Sequence, residues 1–194
     1  MKKYSIILLQ ACLFLACVCT SCDYREYADA DYPDTKVYQP MATETVWHIN
    51  KADDDNVSMV TPGAPGRYIL DKANNKFIVL MGVVQSGVSL KSFSVDISAD
   101  DARINELLAE GGILPEGTQL LPASDYSLPT SVQLSSKNQS ASFQLEIELG
   151  ALTGENLGKI VAVAVKISSS SVEVSEGLGT SVICIDTAFL EELL

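Results

Sequence analysis

The chain has 194 residues, with 13 Lys and Arg against 25 Asp and Glu, and a net charge of −12 at neutral pH. A balance this acidic repels polyanions, so nucleic acid and anionic lipid surfaces are excluded as partners on charge grounds. The length admits one domain and a tail, enough to bury a core without cross-links.

The first stretch does not belong to a fold. Lys2 and Lys3 form a charged n-region, and Ile6 to Val18 is an apolar run broken only by Gln10. This pattern predicts a secretory signal, too short for a comfortable membrane span. Ser21, directly before Cys22, resembles the small residue of a bacterial lipoprotein cleavage site. Cys22 is therefore the expected site of lipid attachment, and Cys17, preceded by Phe14-Leu15-Ala16, is the second candidate. Acyl chains there would tie the protein to an outer membrane; an ordinary signal peptide and a soluble exported protein is the alternative. Beyond Cys22 the chain holds one cysteine, Cys184, so an exported domain would be held by its core alone. Between Ile183 and Ile185, Cys184 reads as a small buried apolar residue.

Residues 22–35 are acidic and tyrosine-rich, lack aliphatic periodicity, and are expected to form an extended tether. Acidic residues this close to an acylated cysteine resemble the surface-export signals of Bacteroidota lipoproteins. That likeness implies the outer face of the outer membrane.

A sandwich domain is expected over 36–188. Lys36 to Gln39 and Thr45 to Ile49 read as its first strands. Asp53-Asp54-Asp55-Asn56 reads as a polar turn, because it lacks the alternating acids of a calcium loop. Thr61 to Gly66 is a second turn set by Pro and Gly. Arg67 to Leu70 and Lys76 to Val84 flank Asn74-Asn75 as a hairpin, and Phe93, Val95 and Ile97 alternate cleanly. The period then changes. Ile104, Leu107 and Leu108 share one helical face, with Asp100-Asp101 as cap and Gly111-Gly112 as stop.

Strands return after Leu121. Val132 and Leu134 alternate, Lys137-Asn138-Gln139 suits a hairpin loop, and Phe143, Leu145, Ile147 and Leu149 alternate with Ser142, Gln144, Glu146 and Glu148. Ile160 to Val165 is apolar without a break. Its large and small residues, Val161, Val163 and Val165 against Ala162 and Ala164, predict burial on both faces with tight packing on one. Thr180 to Ile185 is the last strand, and residues 189–194 are either a tail or a helical turn over one end. Eight to ten short strands and one helix predict an all-β fold: an immunoglobulin-like antiparallel β-sandwich with one short crossover helix.

The sequence carries no catalytic signature and calls for no cofactor or metal. His48 is the lone histidine, and His-Glu-x-x-His, Gly-x-Ser-x-Gly and paired Cys-x-x-Cys are missing. Sugar binding asks for an exposed aromatic face with polar neighbours. Trp47, flanked by His48 and Asn50, is the first candidate; Tyr38 and Tyr68 are further ones. The competing reading makes Trp47 a core anchor between sheets, as sandwich tryptophans often are. Asp186-Thr187-Ala188 fits the short pattern of Bacteroidota O-glycosylation.

Leu121-Pro122-x-x-x-Tyr126-x-Leu128-Pro129, the strand at Val132 and Ser140-Ala141-Ser142-Phe143 together resemble a recurring N-terminal domain of unknown function of Bacteroidota surface lipoproteins. In that family the domain stands ahead of a chitinase-like family-18 glycoside hydrolase or a carbohydrate-binding sandwich. The resemblance covers about residues 22 to 186, and this chain stops where the second module of longer members would start. It implies a non-catalytic surface lipoprotein that binds a polysaccharide, or scaffolds a capture complex through a surface protein partner. The alternatives are a fimbrial or matrix subunit that polymerises by strand addition and an inert spacer.

Overall fold

Alternation of apolar and polar residues decides most of this architecture. The computed structural model describes residues 34–50 and 68–193. The expected signal, Cys22, nearly all of the tether and the turns at Asp53–Asn56 and Thr61–Gly66 lie outside the described residues.

The elements run β1 (Lys36–Tyr38), β2 (Trp47–Ile49), β3 (Tyr68–Asp71), β4 (Lys76–Gln85), β5 (Phe93–Ala99), α1 (Asp101–Glu110), β6 (Gln119–Leu120), β7 (Tyr126–Ser127), β8 (Ser131–Leu134), β9 (Ser140–Glu148), α2 (Leu149–Thr153), β10 (Ile160–Ser168), β11 (Glu173–Val174) and β12 (Thr180–Asp186). They form two sheets. One has the order β11-β1-β4-β9-β7, with β3 also on β4; the other has the order β2-β12-β10-β5-β8, with β6 also on β10.

The core lies between the sheets. Phe77, Val79, Met81 and Val83 of β4 and Leu145 and Ile147 of β9 point inward and are fully buried. Val161, Val163, Val165 and Ile167 of β10 and Ile183 and Ile185 of β12 meet them in the same cluster. Each such large side chain contributes roughly 1.5–3 kcal/mol on burial. A β-sandwich is therefore the fold.

Its long pairings are antiparallel, as expected, and three short ones depart from that pattern. The pairs β1–β11, β2–β12 and β6–β10 are parallel. Each involves a strand of two or three residues that no hairpin joins to its partner, so no tight turn dictates its direction.

The crossover helix is present as α1. Asp100 caps it by accepting from the Arg103 N–H, and Gly111 ends it at φ 68°, a left-handed value suited to glycine. Ile104 and Leu107 are buried, whereas Leu108 is 39% exposed, so the helical face is narrower than expected. This face lies on the outside of the second sheet, where Ala162, Ala164, Val182 and Cys184 form a second apolar cluster with it. A larger residue than alanine would hold the helix off, and this explains the large–small alternation of β10.

Two more local differences appear. Leu149 is still buried, but it opens the short helix α2 instead of closing the strand. Residues 187–192 form a 3-10 turn whose Phe189 and Leu190 are buried in the core, the helical-turn alternative for this end rather than a free tail. Its two apolar residues are adjacent, which suits a turn closing one end of a sandwich.

Candidate functional site

A polar pocket forms where three segments meet, and a buried glutamine holds them. Gln39, directly after β1, is fully buried and donates its Nε2–H to the carbonyls of Val165 (2.8 Å) and Gly179 (2.9 Å). Its own N–H donates to Leu178 O at 2.9 Å. The loop from Ser175 to Gly179 is thereby pinned to β10. Gly177 adopts φ +73°, and a Cβ on Gly179 would stand 2.9 Å from Val174 Cγ1, so both glycines are needed for this loop to lie where it does.

Pro40–Thr43 makes a 3-10 turn closed by Thr43 Oγ1–H donating to Pro40 O at 2.7 Å. It delivers Thr43 and Thr45 to one wall. The first turn of α1 delivers Arg103, and Lys166 stands where the apolar run of β10 passes out from under the helix. Thr180 Oγ1 reaches the Asp100 carboxylate at 3.5 Å. The resulting pocket measures about 570 Å³ and is lined by Thr43, Thr45, Arg103, Lys166, Ser175 and Thr180, with Glu44 at the same wall.

The pocket presents two cationic side chains, four hydroxyls and the Glu44 carboxylate. Arg103 Nη1 pairs with Glu106 Oε2 at 3.2 Å, one helical turn on, which leaves other guanidinium donors for the pocket. Lys166 makes no ion pair among the described residues and carries three donors. Four hydroxyls supply both donors and acceptors.

The sequence candidates fall elsewhere. Trp47 is 4% exposed and belongs to the inter-sheet core, so its ring offers no free face to a sugar. Period two then puts His48 on the opposite side, where it is exposed, and Asn50 is exposed beyond the strand end. Trp47, His48 and Asn50 do not form one site. The core-anchor reading of Trp47 is the one its burial supports. Tyr68 stacks on Phe77 with ring centroids 4.7 Å apart and packs against Phe189, while Tyr38 is half-buried opposite Val84.

Thr187 is also corrected as an O-glycan acceptor. It is fully buried, and its hydroxyl bonds to the carbonyls of Asn156 and Lys159. Cys184 is buried as expected, and burial pushes its thiol up to about 11 against an opposing hydrogen bond to Thr118. Such a thiol is a poor nucleophile at neutral pH.

Sequence reasoning missed Arg103 and Lys166. A signal existed: Lys166 occupies the small-residue face of β10, at the position after Ala162 and Ala164, where the pattern calls for another small side chain. Among the described residues, no group of three or more His, Cys, Asp or Glu could hold a metal ion, and no helix is long and apolar enough to cross a membrane.

A second cleft, about 630 Å³, runs beside β9. Leu80, Leu128, Pro129, Val132 and Phe143 give it apolar walls, with Ser142, Gln144 and Glu146 along one side.

The fold is thus a two-sheet sandwich that carries a polar pocket. Residues 34–174 match the model of a family described as “-like, N-terminal domain”, and the chain belongs to that family. The resemblance carried by Leu121, Pro122, Tyr126, Leu128 and Pro129 is thereby borne out. No curated protein matches the chain.

Among solved structures, the chain is similar to a candidate carbohydrate binding protein from Bacteroides ovatus, with 16% identity and TM-score 0.53 over 78% of this chain and 36% of that one. It is also similar to a two domain protein with unknown function from Bacteroides fragilis, with 10% identity and TM-score 0.50 over 79% of this chain and 45% of that one. EndoBT-3987 of Bacteroides thetaiotaomicron, solved with a Man5GlcNAc product, has 12% identity and TM-score 0.48 over 77% and 30% of the two chains. The chain thus spans less than half the length of each of these proteins.

Proposed function

We propose that this protein is a non-catalytic, surface-exposed lipoprotein whose sandwich binds a glycan for a polysaccharide-capture system. The observation that carries the reading is the pocket where Arg103 and Lys166 converge with the hydroxyls of Thr43, Thr45, Ser175 and Thr180. Planar and charged donors beside hydroxyls satisfy vicinal sugar hydroxyls, and cations add preference for a sugar carrying a carboxylate. The fold shared with a candidate carbohydrate binding protein supports the same reading. Acylation at Cys22 would hold the domain at the outer membrane, and the acidic tether would let it stand clear of the surface.

Native affinity electrophoresis against host, plant and microbial polysaccharides tests this. The exported chain is expected to be retarded by at least one uronic acid-containing polymer. Arg103→Ala and Lys166→Ala should each weaken retardation about tenfold, as loss of a charge-assisted hydrogen bond predicts. His48→Ala should leave it unchanged. Absence of retardation by every polymer would refute the glycan reading. Globomycin treatment of producing cells, read as a shift of the precursor on gels, tests acylation; an unaltered precursor pattern sinks the anchor.

A further inference from the structure

The second cleft has a feature that a sugar site does not need: it runs along an open strand edge. β9 pairs with β4 along its full length, from Lys76↔Glu148 to Val84↔Ser140. Among the described residues, its other edge is paired only at Ile147 and Glu146, by the two residues of β7. In an antiparallel ladder, successive residues aim their N–H and C=O groups at opposite edges. Leu149 N–H donates to Asn75 O, and Gln139 O accepts from Gln85 N–H, each at 2.9 Å on the β4 side. By that parity Ser140, Ser142 and Gln144 direct their backbone groups away from β4, and Ser142 and Gln144 line the cleft. Among the described residues, no loop or turn backbone group bonds to them.

Natural edges are guarded by lysine, proline, bulges or shortness. Residues 140–145 read Ser-Ala-Ser-Phe-Gln-Leu, without lysine or proline. The opposite wall sets Leu128, Pro129 and Val132 among the hydroxyls of Ser127 and Ser131, and Leu128 and Val132 pack against the core while remaining partly exposed. Among the described residues, the cleft is lined by one charged residue, Glu146. Its possible neutraliser, Lys76, sits 3.9 Å from it but bonds Glu148 at 2.6 Å, so Glu146 retains acceptor capacity.

We infer that the open edge of β9 accepts an extended segment of a partner protein as an added strand. The segment is apolar at alternate positions, and a lysine or arginine meets Glu146. Backbone hydrogen bonds to Ser142 and Gln144 supply the register, while alternate side chains fill the apolar groove against Leu128 and Val132. The basic residue follows from charge: among the described residues the cleft offers a carboxylate and no cation, in a chain of net charge −12. This site shares no lining residue with the polar pocket, so it stands or falls separately from the glycan reading.

The test uses the full chain in detergent and a labelled peptide, acetyl-Lys-Val-Thr-Val-Thr-Val-amide. In antiparallel register its lysine lies at the Glu146 end. Saturable binding by fluorescence polarisation is expected, with amide NMR shifts concentrated at Ser142 and Gln144. The same peptide N-methylated at alternate residues should bind at least tenfold more weakly. Glu146→Lys should weaken the lysine peptide and favour its Lys→Glu counterpart, and this charge swap keeps the strand intact. No saturable binding at millimolar peptide overturns the inference. Equal binding of the N-methylated peptide also overturns it, by making the cleft a mere apolar surface. Displacement of the Ser142 and Gln144 amide signals by polysaccharide but not by peptide would reassign the cleft to glycan.

Discussion

Strands β9 and β10 have nine residues each, yet they solve different problems. β9 buries Phe143, Leu145 and Ile147 and turns Ser142 and Gln144 to the outside. β10 buries both faces, valines toward the sandwich core and alanines toward α1. The contrast shows that an alternating strand and an unbroken apolar strand differ in what covers the second face. It also shows where binding surfaces arise. Among the described residues, β9 leaves an edge and a face uncovered at its first half, and β10 becomes polar at Lys166, beyond the alanines that pack under the helix.

The largest expected effect distinguishes the two faces of β9. Leu145→Ala removes a fully buried side chain from the inter-sheet core and should cost about 2–5 kcal/mol. Gln144→Ala, one residue away on the outer face, should change stability by no more than about 0.5 kcal/mol. Urea unfolding of both variants measures the difference. Similar costs at the two positions would mean that β9 is covered on both faces, and the contrast with β10 would fail.

The next effect probes the second face from β12. Cys184 pairs with Ala162 in register and is buried beneath α1. Burial raises its thiol from an ordinary 9.0 to about 11 in the folded state. Below about pH 9 both folded and unfolded chains hold the proton, so the contribution is fully present. As pH rises toward about 11 only the unfolded chain loses it, and stability falls. At about 1.4 kcal/mol per pH unit, the two-unit window amounts to at most about 3 kcal/mol. Comparing wild type with Cys184→Ala at about pH 8 and pH 11 isolates this group from other titrations. A difference between the two proteins that does not change with pH would show that the thiol is not sealed beneath the helix.

Overpacking is next in size. Ala164→Leu forces extra volume between β10 and α1 and should cost about 1–3 kcal/mol. Ser142→Val on the outer face of β9 should cost little or nothing, because its neighbours there leave open space at the cleft. Thermal melts of the pair compare the two faces directly. A neutral Ala164→Leu would mean that the helix rides loosely on the sheet.

These positions also show what the sequence could disclose. Strand periods, the Asn74-Asn75 hairpin, the capped helix and the two-faced burial of β10 were all legible, because each is written in neighbouring residues. Parallel edge pairs were not, since β1, β2 and β6 meet partners more than 30 residues away through contacts that leave no local pattern. The site was legible only in pieces. Trp47 drew notice as an aromatic, but strand parity sends it inward and His48 outward. Arg103, Lys166 and Thr43 come from three distant segments, and Gln39, next to the Thr43 turn, ties that turn to β10 and to Gly179 by amide bonds that span 126 and 140 positions.

The smallest effect concerns the cap of the helix that makes β10 two-faced. Asp100 accepts from the Arg103 N–H at 3.3 Å and lies 3.5 Å from the Thr180 hydroxyl, so it anchors both α1 and one wall of the polar pocket. Asp100→Ala should cost about 1 kcal/mol, the usual value of an N-cap, whereas Asp100→Asn should retain most of the cap. Hydrogen exchange gives the sharper readout. Protection should drop in the first turn of α1 and in the β10 residues it covers, while the β9 amides bonded to β4 keep theirs. Uniform loss across both strands would mean that helix and sandwich open as one cooperative unit. In that case the cover over Ala162 and Ala164 would be as integral to the fold as the inter-sheet core, and the contrast between β9 and β10 would be one of composition alone.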